Sequence, residues 1–115
     1  MFTDRWIPEA REQYCAIEKA AERAHATRIK NNKQKSSRHE GLFKQVRKTI
    51  NFLLHNPKHP GLETHSYDSL TNPYEPSKKV FEAYAQNNTP AAYRVFWCSG
   101  PKEKEITILS ITAHP

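Results

Sequence analysis

An arginine in the middle of an apolar strand and a histidine at the end of another are the residues of this chain best suited to chemistry. Arg94 lies in Ala-Ala-Tyr-Arg-Val-Phe-Trp-Cys (91–98), and His114 closes Glu-Ile-Thr-Ile-Leu-Ser-Ile-Thr-Ala-His (105–114). A guanidinium among aromatic and β-branched neighbours must be paired or must face an anion, because an unpaired buried charge is costly. Imidazole exchanges its proton near neutral pH, so His114 can serve as acid or base. Glu82 and Tyr84, in Lys-Val-Phe-Glu-Ala-Tyr-Ala (79–85), stand two apart on a third strand-like run and therefore share a face. His65 and Tyr67 add a second imidazole and phenol upstream, as secondary candidates. Plainer readings stand beside these: Arg94 and Glu82 as a structural ion pair, Glu82 as an edge-strand charge, His114 as a frayed end. Tyr93, Val95 and Trp97 alternate along their strand and read as core.

The elements that must position these groups are legible from spacing. Pro8 suits a first helical turn, and Ala10, Tyr14, Ile17, Ala21 and Ala24 recur at threes and fours, which predicts an amphipathic helix over roughly 8–29. Ser37 with Glu40 three residues on is a capping-box signature opening a second helix. Leu42, Val46, Ile50 and Leu53 give that helix its inward face, and Asn56-Pro57 ends it. The two form a helix hairpin over 8–55. A connector over 56–79 follows, containing Pro57, Pro60, Pro73 and Pro76, with Leu62 to Tyr67 as a short possible strand. Strands then fill 80–114, the last two joined through Ser99-Gly100-Pro101-Lys102. The predicted class is α+β: one domain, 1–115, with an N-terminal helix hairpin packed on a small, mainly antiparallel sheet.

Composition limits the function classes. The chain has 115 residues, enough for a single modest core. Its mean hydropathy is −0.87, and no run approaches the ~18 apolar residues of a membrane span. Asp4 and Arg5 near the start leave no signal-peptide pattern, and Cys15 and Cys98 read as reduced packing residues, so the expected compartment is the cytoplasm. Residues 1–60 carry 13 Lys and Arg against 6 Asp and Glu, whereas 61–115 carry 5 against 6. The excess concentrates in Arg28, Lys30, Lys33, Lys35, Arg38, Lys44, Arg47 and Lys48, opposed only by Glu40. Such a cluster suits a polyanion or an acidic protein partner, and equally a solvated face. His55, His59, His65, His114 and Cys98 match no zinc spacing, and no glycine-rich phosphate loop is present, so neither metal nor cofactor is expected.

Taken in order, the helix hairpin, Asn-Pro-Lys-His-Pro-Gly-Leu (56–62), Phe-Glu-Ala-Tyr (81–84), Tyr-Arg-Val-Phe (93–96) and the Ile-Thr-Ile-Leu-Ser-Ile strand ending on Thr-Ala-His resemble the RelE/ParE superfamily of type II toxins. The resemblance spans about Pro8 to His114. It implies a toxin held in check by a cognate antitoxin protein. The activity it implies is that of a metal-independent, ribosome-dependent messenger-RNA endonuclease. Its alternatives are a ParE-like inhibitor of DNA gyrase, or a degenerate member that only binds its antitoxin. Residue by residue, Arg94 matches the arginine that contacts the scissile phosphate, and His114 matches the catalytic C-terminal histidine of the YoeB and YafQ branches. Glu82 and Tyr84 stand where RelE-type members carry two lysines, which is a departure. The chain also stops at Pro115, where many relatives continue to a terminal tyrosine. On this reading Arg94 stabilises charge, His114 is the general acid, Glu82 the base, and Tyr84 stacks on or orients a nucleobase. The basic segment from Arg28 to Lys48 would dock on the ribosome.

Overall fold

Pro8 and the Ser37–Glu40 pair set where the two helices begin. The computed structural model describes residues 1–33, 35–86 and 91–113; His114 lies outside the described residues. Helix α1 runs Pro8–Lys30, with Pro8 in the first turn, where its missing N–H is no loss. It buries the small residues Ala10 and Ala21 together with Ile17, so its backbone can approach the sheet closely. Helix α2 runs Arg38–His55. Ser37 Oγ accepts from Glu40 N at 3.2 Å, and Ser37 N donates to Glu40 Oε2 at 2.7 Å, the reciprocal bonds of a capping box. The helix stops at Asn56, ahead of Pro57.

Five strands follow the order β1-β5-β4-β3-β2 across one sheet: β1 Thr3–Trp6, β2 His65–Ser66, β3 Phe81–Tyr84, β4 Tyr93–Ser99 and β5 Glu105–Ala113. The pairings β2–β3, β3–β4 and β4–β5 are antiparallel. The N-terminal strand β1 pairs with β5 in parallel, Thr3 opposite Glu105 through Trp6 opposite Ile108. Of the Leu62–Tyr67 run only His65–Ser66 is strand, because Pro60–Leu62 forms a 3-10 turn ahead of it. The class expected from sequence is the class observed: two helices on a mixed, mainly antiparallel sheet. No described helix is long and apolar enough to cross a membrane.

Pleating divides the sheet into two unlike faces. One face carries Ala83, Val95, Trp97, Ile108 and Ile111, packed against Ala10, Ile17, Val46, Ile50 and Leu53 of the helices. On the other, Val80, Phe96, Cys98 and Leu109 form a second, smaller core. Residues 67–80 strap down near it. Tyr67 N donates to Val80 O at 2.8 Å, Tyr67 packs on Phe96 with centroids 4.7 Å apart, and the Tyr74 hydroxyl meets Thr107 Oγ1 at 3.0 Å. A register shift at Phe96/Trp97 leaves Leu109 between pairs. Both faces of β4 are therefore covered, which explains why Arg94 through Cys98 are all buried and no polar alternation shows in that strand.

Candidate functional site

The second face is not apolar throughout. Register places Tyr84 beside Arg94 and Arg94 beside Thr112, with Glu82 beside Phe96 and His65 beside Glu82. Four chemically active side chains from three adjacent strands thus meet on the face that the helices leave alone.

Their contacts are close. His65 Nε2 stands 2.6 Å from Glu82 Oε1, so an Nε2–H donates directly to the carboxylate. Glu82 Oε2 lies 3.8 Å from Arg94 Nε, an ion pair rather than a hydrogen bond. Arg94 Nη1 donates to the carbonyl of Ala92 at 2.6 Å. The guanidinium carbon sits 4.0 Å from the centroid of the Tyr84 ring, in cation–π contact, and His65 meets the edge of the same ring at 5.4 Å. Arg94 is only 4% exposed and Glu82 also 4%, whereas the His65 side chain is 50% exposed. The imidazole is the open mouth of the cluster and the guanidinium its floor. Arg94 Nε is buried without a hydrogen-bond partner among the described residues, a donor in place for an incoming acceptor.

Local backbone supports this. Ala91 adopts φ +64°, in the left-handed region that disfavours a side chain, immediately before the strand bearing Arg94. Gln86 Oε1 accepts from Tyr93 N at 2.9 Å, pinning the start of β4 to the end of β3. Gln13 of α1 does the same for β5: its Oε1 accepts from Ile111 N at 2.6 Å and from Ser110 Oγ at 3.2 Å. That glutamine secures the outer edge of β5, beyond its pairing with β1 and just before Thr112.

The remaining residues singled out from sequence are distributed as follows. Tyr67 packs on Phe96, in the strapped half of the face. Tyr93 packs at the helix-side core beside buried Val95 and Trp97. Lys30, Lys33, Lys35, Arg38, Lys44, Arg47 and Lys48 are exposed around the helix hairpin. Arg28 is a different case: its Nε donates to both Glu40 oxygens at 3.1 Å and its Nη1 to Lys33 O at 3.3 Å. Its charge ties the two helices together and is not presented outward as the other seven are. His25 Nδ1 joins the same carboxylate at 2.9 Å. The Ser37 backbone N–H and then the Arg28 guanidinium hold the Glu40 carboxyl down at about 2. Burial pushes the Cys98 thiol up to about 11.

The sequence offers His65 only as a secondary candidate, and assigns His55 and His59 no catalytic place. The signal that separates them is alternation: His65 and Glu82 become cross-strand partners only once a 3-10 turn sets the register of β2.

No protein-family model matches this chain, and no curated protein matches its sequence. Solved structures do match in shape. The YoeB dimer from Staphylococcus aureus superposes with a TM-score of 0.58 at 11% identity, over 99% of this chain and 98% of that one. A YoeB/ParE toxin from Agrobacterium tumefaciens gives 0.58 at 7% identity, over 98% and 99%. The chain therefore shares its fold with these YoeB and YoeB/ParE toxin structures, the architecture expected from the sequence. The superposition extends over essentially the whole length of each chain.

Proposed function

We propose that the protein is the toxin of a type II toxin–antitoxin pair and a metal-independent, ribosome-dependent messenger-RNA endonuclease in the cytoplasm. The observation that carries this reading is the cluster of His65, Glu82, Tyr84 and Arg94 on the helix-free face. It supplies two of the things phosphodiester cleavage asks of side chains, a carboxylate base and a fixed cation, and the proposed acid is His114 of the same chain, outside the described residues. In the proposed reaction Tyr84 swings off Arg94 to stack on a nucleobase, and the guanidinium grips two non-bridging phosphate oxygens. Glu82 takes the proton of the 2′-hydroxyl, the 2′-oxygen attacks phosphorus, and the P–O5′ bond breaks. His114 delivers a proton to the departing 5′-oxygen, leaving a 2′,3′-cyclic phosphate and a 5′-hydroxyl. The exposed cations Lys30, Lys33, Lys35, Arg38, Lys44, Arg47 and Lys48 dock on ribosomal RNA through its phosphates.

The test is cleavage of messenger RNA on programmed ribosomes. His114→Ala reduces the rate by ~10²–10⁴-fold, the share of one general acid. An undiminished rate removes His114 from the reaction. The burial of Arg94 favours one second reading, a protein that acts by contact alone, on DNA gyrase or on an antitoxin. Arrest of replication on expression, with translation intact, establishes the gyrase form. Absence of any arrest establishes the form that binds only its antitoxin.

A further inference from the structure

A groove lies between α2, the 3-10 turn and the end of β3. It encloses about 480 Å³, a size suited to a small-ligand cleft. Gln45, Lys48 and Phe52 of α2 line one side, Glu63 lies beyond the 3-10 turn, and Tyr84 and Gln86 come from the end of β3. Tyr84 joins this lining at the sheet edge, where its carbonyl stands 3.4 Å from Thr49 Oγ1 of α2, while its ring lies against Arg94 on the other face.

Its chemistry is specific. Phe52 is 36% exposed, so part of its ring is open to the groove. One face of its ring stacks on His59 with centroids 4.7 Å apart and 18° between planes, and the Lys48 ammonium stands 5.4 Å from its centroid. The His59 ring is itself fixed, since its Nδ1 accepts from Gly61 N at 2.9 Å. Beside this platform, Gln86 Nε2 approaches Gln45 Oε1 at 3.4 Å, a long bond that a better partner can replace. Paired amides offer the donor–acceptor combination of a base edge, most fittingly that of adenine. The surface lysine over Phe52 yields at little cost and is then placed for a phosphate.

From this geometry we infer that the groove is a nucleobase subsite for single-stranded RNA. It would hold the nucleotide next to the cleaved bond, stacked on Phe52, read by Gln45 and Gln86, with its phosphate on Lys48. This rests on the endonuclease reading, and it commits to RNA over a peptide because an aromatic stack, a lysine and two amides suit a base with its phosphate. Glu63, the one carboxylate in the lining, directs the phosphate to the Lys48 side.

The test titrates the folded protein with a 2′-O-methyl RNA hexamer, which cannot be cleaved, while the side-chain amide signals of Gln45 and Gln86 are followed by NMR. Both signals shift on binding. Phe52→Ala weakens binding roughly 5- to 150-fold, the loss expected for one stacked base, and Phe52→Trp restores it. Amide signals that stay in place, or an affinity indifferent to Phe52→Ala, overturn the subsite. So does loss of antitoxin binding in Phe52→Ala with RNA binding intact, because the groove then belongs to a protein partner. A wild-type protein that binds the hexamer in this groove yet cleaves nothing on ribosomes upholds the subsite and removes the endonuclease.

Discussion

The two faces of the sheet solve the problem of burial in opposite ways. The helix-side face is dry and apolar, closed by Val46, Ile50 and Leu53 against Val95, Trp97 and Ile111. The other face buries an arginine and a glutamate beside a histidine, under a tyrosine ring. Apolar burial stabilises a fold in proportion to area, whereas a buried ion pair seldom does better than a well-packed hydrophobic replacement. On the proposed reading, the first face is kept for stability and the second for chemistry.

Substitution on each face separates the two roles. The largest expected effect is on the charged face: Arg94→Met combined with Glu82→Gln lowers cleavage by at least ~10²–10³-fold, the scale of one lost charge-stabilising donor. The same double variant shifts the urea midpoint little, because removing both charges leaves none buried alone. Leu53→Ala does the reverse: it costs ~2–5 kcal/mol of stability, while the folded fraction keeps its cleavage rate. A double variant that unfolds, or a Leu53→Ala protein that folds normally and fails to cut, would dissolve the comparison.

Smaller effects sharpen the picture at the hairpin. Ser37→Ala removes the N-cap acceptor and costs ~1 kcal/mol in denaturant titration. Glu40 carries a pH signature. Its folded value of about 2 lies below that of an unfolded glutamate, so the stability it contributes is present above about 4.3 and is lost as pH falls toward 2. The stability gap between wild type and Glu40→Gln therefore closes over that window; a gap constant from pH 6 to 2.5 would mean the carboxylate charge does not matter. Smallest of all, Cys98, with its thiol raised to about 11 by burial, reacts with iodoacetamide in native protein far more slowly than in urea.

Much of the fold is legible in the sequence. The capping box at Ser37 and Glu40, the proline-marked start of α1 and the Asn56-Pro57 stop depend on neighbours within a few residues, and local chemistry settles such features. The parallel pairing of β1 was not legible, since it joins Thr3 to Glu105 through contacts with no local signature. Nor was Arg28: a basic run looks uniform until tertiary structure brings one of its members against Glu40.

The site divides along the same line. Alternation by itself determined that Glu82 and Tyr84 share a face, that Val95 and Trp97 face the core, and that Arg94 needs a partner, because pleat and the cost of an unpaired charge are properties of any strand. Only the tertiary structure decided which groups answer that need. Strand register chose Tyr84 and Glu82 for Arg94, brought His65 across an edge pairing of two residues, and set Gln45, Phe52 and Gln86 around one groove. Register over long separations is fixed by the fit of whole faces against the helices, and no short stretch of sequence encodes that fit.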